Sequence, residues 1–185
     1  MNEFNQVPFS NTYWVIPGKF LAGEHPSHYD GETTRKRVAA LLRFGVRSIV
    51  DLTTDGDTRI SYAPYLETEA NLYQISVTRK KFPIDDFSAP SIEQMAAILD
   101  WIEREIAAGK LVYVHCLAGI GRTGTMVGCF LVNQGYSGEA ALERIQTLRS
   151  ETPTWWQRSP ESPQQVDYIL NWEHYRPVNS QPCHE

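Results

Sequence analysis

The stretch Leu111–Gly135, LVYVHCLAGIGRTGTMVGCFLVNQG, constrains this chain more than any other. Its apolar opening, Leu111 to Val114, is short and rich in Val and Tyr, as a strand buried on both faces requires. His115 and Cys116 follow, then a loop with two glycines, then Arg122-Thr123-Gly124 and an apolar segment of helical length that stops at Gly135. The unit reads strand, tight loop, helix. A loop in that position turns backbone N–H groups inward, where the helix dipole also favours negative charge. Gly119 and Gly121 let the backbone curl without a Cβ clash. Within the ring Cys116 is favoured as thiolate, the nucleophilic form. Arg122 returns to the ring after Leu117, Ala118, Gly119, Ile120 and Gly121, with a planar fork that matches two phosphoryl oxygens. Thr123 is expected to donate its hydroxyl to the sulfur. Together these residues describe a nucleophile inside a phosphate-binding loop. A Walker-type nucleotide loop fits less well, because no Gly-Lys-[Ser/Thr] is present and Cys116 would have no task there.

His115, Cys116, Gly119, Arg122 and Thr123 also spell HCxxGxxR[ST], and through them the chain resembles the cysteine-dependent protein phosphatases, in particular their compact atypical dual-specificity and tyrosine-phosphatase types. The resemblance spans residues 13–175. It implies an α/β, single-domain phosphatase fold whose central, mostly parallel twisted sheet is flanked by helices, with the site at the carboxyl ends of the strands. It further implies a general acid in the loop TRKKFPIDDFSAPS, where Pro83, Asp86 and Phe87 match Pro-x-x-Asp-Phe. Asp86 would protonate the leaving oxygen and Phe87 would anchor the loop by burying its ring, with Asp85 facing solvent. His115 would support the nucleophile loop from behind. Gln165 matches the last position of Ser-x-Glu-[Ser/Thr]-x-x-Gln, either as a water-positioning residue or as an ordinary first-turn helix residue.

The implied activity is hydrolysis of phosphate monoesters through a phosphocysteine, without a metal or any other cofactor. The expected substrate is a phosphorylated protein. Phosphotyrosine is expected to be preferred, with phosphoserine and phosphothreonine as further substrates, and to be favoured over phosphoinositides because residues 117–121 carry no Lys or Arg, whereas members that act on phosphoinositides tend to carry lysines there. The alternatives are a phosphoinositide or inositol phosphate phosphatase and a phosphopeptide-binding module without turnover.

The remainder of the chain supports a single domain. Its 185 residues allow one full core, and a net charge of −5 argues against nucleic-acid or membrane partners. No stretch reads as a secretion signal or a membrane span. Three widely spaced cysteines suit free thiols in a reducing cytoplasm, and no CxxC or HxxxH pair offers a metal cluster to the five histidines. A monomer is expected. Residues 1–12 read as a flexible N-terminus, 13–176 as the domain and 177–185 as a flexible tail, with Cys183 an exposed thiol.

Strands are expected at Tyr13–Ile16, Phe20–Gly23, Val46–Leu52 and Leu72–Val77, and residues 78–91 are too polar and Pro-rich for a regular element. Helices are expected at Thr33–Phe44, after Pro64, at Ser91–Ala108 with a Ser91/Gln94 capping box, after Ser137 to about Arg149, and around Gln165. TTDGD after Leu52 reads as a loop, and His25 and His28 as surface polar residues. Arg35, Lys36, Arg37 and Arg43 read as a solvated helix face. Cys129 belongs to the core, and Trp155 and Trp156 lie either on the surface or along the substrate cleft.

Overall fold

A computed structural model describes residues 6–57 and 60–176. In chain order the elements are β1 (Thr12–Ile16), β2 (Phe20–Gly23), α1 (Gly31–Phe44), β3 (Val46–Asp51), α2 (Ala63–Tyr73), β4 (Thr78–Lys81), α3 (Ile92–Ala107), β5 (Leu111–His115), α4 (Gly121–Asn133), α5 (Gly138–Leu148), α6 (Pro163–Leu170) and α7 (Trp172–Tyr175). The strands join in the order β1-β2-β5-β3-β4. Only the β1–β2 hairpin is antiparallel; β2–β5, β5–β3 and β3–β4 are parallel. This is the α/β architecture, with a mostly parallel central sheet flanked by helices, that the sequence leads one to expect.

Alternation along the central strands sets the layers. In β5, Val112 and Val114 enter one core while Tyr113 enters the other; in β2, Phe20 and Ala22 part from Leu21 in the same way. The first core is closed by Met95, Ile98, Leu99 and Ile102 of α3, the whole apolar length of α4, and Trp172 of α7. The second is closed by Val38, Leu41 and Leu42 of α1 with Leu66 and Ala70 of α2. Helix α4 lies in the middle, with every residue from Gly121 to Asn133 buried. Cys129 sits there at 0% exposure, and burial pushes its thiol up, well above the ordinary range. Cys183 lies outside the described residues.

Helix ends follow the local chemistry. Asp30 caps α1 by accepting from Thr33 N–H at 2.7 Å, and Gly45 closes it in the left-handed region at φ 108°. The capping box expected at α3 is half formed. Ser91 Oγ accepts Gln94 N–H at 3.2 Å, but the Gln94 amide donates to the Pro83 carbonyl at 2.9 Å. The complete box belongs to α6, between Ser162 and Gln165.

Three local expectations need correction. Leu72–Val77 is not a strand: α2 runs to Tyr73, Gln74 turns at φ 54°, and the fourth strand is the polar run Thr78–Lys81. Ile75 and Val77 still pack against the second core, as loop residues, which accounts for their apolar character. β4 pairs only with β3, so it is an edge, and an edge favours charged side chains. His25 is not a surface residue; it is 3% exposed. Of the segment 1–12, residues 6–12 pack. Phe9 meets Tyr113 edge-on at 6.1 Å, and the Gln6 carbonyl accepts from Trp14 Nε1 at 3.1 Å.

The register places Gly23, Asp51 and the end of β5 level with one another, since His115 pairs with both Gly23 and Asp51. The loops that follow β2, β3, β4 and β5 therefore open on one edge of the sheet. At the far end of the first core, Trp172 is 1% exposed, stacks on Tyr168 at 5.6 Å and donates from Nε1 to Asn133 Oδ1 at 3.0 Å. Trp172→Ala should cost ~3–5 kcal/mol through the cavity and the orphaned Asn133. That lowers the melting temperature by roughly 6–20 °C, to be checked by thermal unfolding.

Candidate active site

The loop between β5 and α4 is held from outside by its carbonyls. Leu117 C=O accepts from His25 N–H at 3.0 Å, and Ile120 C=O accepts from Ser159 Oγ at 2.7 Å. Among the described residues, the N–H groups of Leu117, Ala118, Gly119 and Ile120 have no hydrogen-bond partner, so four donors stay available on a loop at a helix N-terminus. Gly119 takes φ 74°, and a Cβ there would overlap the backbone of Gly23 and Glu24. Only glycine fits where the two loops touch. Cys116 is 2% exposed, and its N–H donates to Thr123 Oγ1 at 2.8 Å. The Thr123 hydroxyl oxygen thus satisfies the Cys116 N–H through a lone pair, a bond that does not use its own O–H proton.

Arg122 is 1% exposed and nearly every donor it has is committed. Nη1 donates to Asp57 Oδ2 at 2.7 Å and to the Ile84 carbonyl at 2.9 Å. Nη2 donates to Asp57 Oδ1 at 3.1 Å and lies 3.1 Å from Asp86 Oδ1. Nε is buried without a partner among the described residues. Asp57, read from the sequence as a plain loop residue, is therefore the bidentate partner of Arg122. Burial alone would raise its carboxyl, but hydrogen bonds from Arg122 and from Thr54 bring it down to about 2.

The loop after β4 closes over this guanidinium. Phe82 N–H and Ile84 N–H continue the ladder to the carbonyls of Asp51 and Leu52 at 2.8 and 3.1 Å. Ile84 is 3% exposed and is the residue that anchors the loop. Phe87, expected to be the buried anchor, is 57% exposed and adopts φ 58°. Ile84 fills the core position three residues earlier, where the chain still follows β4, so no apolar slot remains for the ring. Asp86 faces Arg122, and the exposed Asp85 makes only a backbone turn to Ser88 N–H at 3.1 Å.

Behind the loop runs a directed chain of donors. Arg79 Nε donates to Tyr62 Oη at 3.1 Å, Tyr62 Oη donates to His115 Nε2 at 2.8 Å, and His115 Nδ1 donates to the Cys116 carbonyl at 3.1 Å. These partners fix the neutral Nδ1–H tautomer. Burial lowers the His115 pKa, in keeping with a neutral ring. Arg79 also holds the fully buried Asp51, whose other oxygen accepts from Thr53 N–H and Oγ1 at 2.9 and 2.6 Å. His25 packs edge-on against both Tyr62 and His115 at 4.9 Å, and its Nδ1 accepts from Ser27 N–H at 3.1 Å. Burial, with His115 beside it, pushes His25 down to about 3. None of Tyr62, Asp51 or Arg79 stands out in the sequence, although Asp51 follows the apolar pair Ile49-Val50 at the end of its strand.

Gln165 is fully buried and lies beside the site, with its amide nitrogen 3.1 Å from the Ser88 carbonyl. A cleft of about 450 Å³ opens next to Leu117 and Asp57, walled by Glu24, His28, Tyr29 and Arg37. Trp155 and Trp156 do not line it; they are 61% and 67% exposed, and Trp156 sits beside Leu142 and Arg158. Among the described residues, no three His, Cys, Asp or Glu are grouped to hold a metal ion. No helix among them is long and apolar enough to cross a membrane.

Residues 26–136 match the family model described as Tc-R-P, polymorphic toxin system, DSP-PTPase phosphatase. Two proteins of Arabidopsis thaliana are similar. Phosphatidylglycerophosphate phosphatase PTPMT1 is 32% identical over 147 residues, 79% of this chain and 40% of that protein. Phosphatidylglycerophosphate phosphatase PTPMT2 is 31% identical over 116 residues, 62% of this chain and 48% of that protein. The chain thus spans less than half the length of these curated relatives. Among solved structures, Tk-PTP in its active form superposes with a TM-score of 0.70 at 25% identity, covering 89% of this chain and 97% of that one.

Asp57→Asn should free one side of the Arg122 fork. Losing this charge-assisted pair, worth ~1.5–3 kcal/mol, should lower kcat/KM on a phosphate monoester about 10–100-fold. Because the folded-state pKa is depressed, the stabilisation by Asp57 is complete above about pH 4 and is lost as the pH falls through about 2. Denaturation curves of wild type and Asp57→Asn should therefore converge on acidification across that window.

Proposed function

The chain belongs to the DSP-PTPase phosphatases of the Tc-R-P family, and from that premise we propose that it hydrolyses phosphate monoesters through a phosphocysteine. One observation carries the reading: Arg122 Nε is buried, and neither it nor the four N–H groups of the loop that leads to it have a partner among the described residues. Buried donors left unsatisfied are costly, and a phosphoryl group supplies the acceptors they lack. Cys116 Sγ attacks phosphorus, and the bond from phosphorus to the leaving oxygen breaks as Asp86 gives that oxygen its proton. Water then attacks the thiophosphate, its proton passes to Asp86, the P–S bond breaks and inorganic phosphate leaves. The loop amides and Arg122 hold the equatorial oxygens through both transfers. A reducing compartment suits this chemistry, since Cys116 acts as a free thiol.

The presence of Cys116, Arg122 and Asp86 together favours turnover over a phosphopeptide-binding module. For substrate we propose phosphotyrosine in proteins. The rim at Leu117, Ala118 and Ile120 is uncharged, and the adjoining cleft carries the carboxylates of Glu24 and Asp57 with Arg37 tied to Glu24 at 3.0 Å. Such a rim accepts one phosphate on an aromatic stem more readily than a polyanion. A lipid reading has its own support in the two relatives named as phosphatidylglycerophosphate phosphatases. Comparing kcat/KM on phosphotyrosine peptides, phosphatidylglycerophosphate and phosphoinositides decides between them, and a higher value on either lipid overturns the protein assignment.

Cys116→Ser should abolish turnover while retaining phosphate binding, Arg122→Ala should lose both, and vanadate should inhibit the wild type. Substantial turnover by Cys116→Ser would rule out the covalent route. Asp86→Asn should slow phosphotyrosine-peptide hydrolysis ~10²–10⁴-fold but slow the activated ester difluoromethylumbelliferyl phosphate far less. Asp85→Asn should do neither, as steady-state rates on the two substrates will tell.

A further inference from the structure

Gln165 is fully buried, and each polar atom of its side chain is used. Oε1 accepts from the N–H groups of Glu161 and Ser162, both at 3.2 Å, and Nε2 donates to the Ser88 carbonyl at 3.1 Å. Ser162 Oγ accepts Gln165 N–H at 3.2 Å and donates to the Phe87 carbonyl at 2.8 Å. Of the two residues that form the capping box of α6, Ser162 thus spends its one hydroxyl donor, and Gln165 one of its two amide donors, on a carbonyl just after Asp86. The same segment is also tied to the nucleophile loop. Ser159 Oγ donates to Ile120 C=O at 2.7 Å, and the Glu161 carboxylate takes the Gly121 N–H. A Cβ on Gly121 would press on Glu161 and Gln165, so this contact is close. Residues 159–165 therefore form a strut with one foot on the Cys116 loop and the other on the Asp86 loop.

The acid loop needs such a hold. Its N-terminal half is fixed by Ile84 and by the bond from Arg122 to the Ile84 carbonyl. Past Asp86, Phe87 leaves its ring in solvent and takes a left-handed backbone at φ 58°, which an L-residue does not adopt without support. The support comes from the two carbonyl bonds.

We infer that Ser162 and Gln165 are positioning residues that latch the acid loop, setting the reach of Asp86 over the nucleophile loop through the α6 capping box. One N–H of the Gln165 amide serves this latch. The inference rests on the reading of Asp86 as the general acid.

Two substitutions separate the latch from the cap. Gln165→Glu keeps an acceptor for Glu161 and Ser162 N–H but turns the donor toward Ser88 into an acceptor. Ser162→Gly removes the donor to Phe87 while leaving an N-cap that helices tolerate. Both are measured in the full chain, with thermal unfolding, on a phosphotyrosine peptide and on difluoromethylumbelliferyl phosphate. The latch predicts a fall of at least fivefold in kcat/KM on the peptide and of less than twofold on the activated ester. In an Asp86→Asn background neither substitution should lower the peptide rate further. Because kcat/KM reports only the steps up to phosphocysteine formation, a fall in kcat with kcat/KM unmoved would instead assign Gln165 to water in the second step and overturn the latch. Parallel losses on both substrates together with a lowered melting temperature would reduce the pair to a helix cap. If Asp86→Asn distinguishes the two substrates and the latch variants do not, the latch fails and the acid assignment stands. If Asp86→Asn itself does not distinguish them, the acid assignment fails and the latch with it.

Discussion

A guanidinium buried to 1% exposure is the most demanding group in this molecule, and the loops around it are arranged to meet its demand. An unpaired charge at such a depth costs several kcal/mol, while paired and fully hydrogen-bonded it can be held. Arg122 draws its partners from two separate connections, Asp57 after β3 and Ile84 with Asp86 after β4. Each also has its own local ties, Thr54 to Asp57 in the first and the buried Ile84 in the second, and the shared cation joins the two. The parallel order β4-β3-β5 brings both loops to the carboxyl edge at which Arg122 enters α4. Sheet topology supplies the proximity and the buried charge supplies the register. Nε, without a partner among the described residues, faces the same requirement.

A second polar layer, behind the nucleophile, shows how a strand end can be made rigid without apolar contact. The sequence of donors from Arg79 through Tyr62 and His115 to the Cys116 carbonyl uses each group once in each direction. Reversing the tautomer of His115 would leave two acceptors opposed, so the network specifies one orientation of the peptide that follows. Asp51 balances the charge of Arg79 in the same layer, at 2.5 Å, which allows the whole network to stay under the sheet edge. The position of Cys116 is thus determined from below by a neutral imidazole and from the side by Thr123.

How much of this was legible depends on whether the constraint is local in the chain. The strand–loop–helix unit, the role of Gly119 and the pairing of Cys116 with Arg122 follow from spacing within a few residues, and the parallel order of strands follows from their alternation with helices. Asp57 is invisible by such reasoning. TTDGD is a good turn sequence, and its meaning comes from a partner 65 positions away. Its one available sign is indirect, since an arginine committed to the core must find a carboxylate somewhere. His25 misleads for the opposite reason. A histidine in a loop reads as polar surface until Ser27, two residues on, supplies the donor that lets the ring be buried. The fourth strand begins six residues and ends four residues later than hydrophobicity indicates, because hydrophobicity marks Ile75 and Val77, which pack as loop, while the edge strand itself is charged. Phe87 shows the limit of family analogy: the motif is present, but the anchoring function has passed to Ile84.

Two carboxylates share one guanidinium here, and their surroundings differ. Asp57 has 9% of its side chain exposed, accepts from both Nη atoms of Arg122 and also from Thr54 N–H and Oγ1 at 2.7 and 2.8 Å. With so many donors directed at the ionised form its pKa is about 2, and a group that remains ionised cannot deliver a proton near neutral pH. Asp86 has 48% of its side chain exposed and touches Arg122 through one oxygen. Its second oxygen has no donor among the described residues. The division follows from donor count and depth, without reference to either residue's place in a motif. On the proposed reading of Asp86 as the acid, fastening its loop by the carbonyls of Phe87 and Ser88 leaves one carboxylate oxygen uncommitted, whereas the carboxylate of Asp57 is spent on holding Arg122.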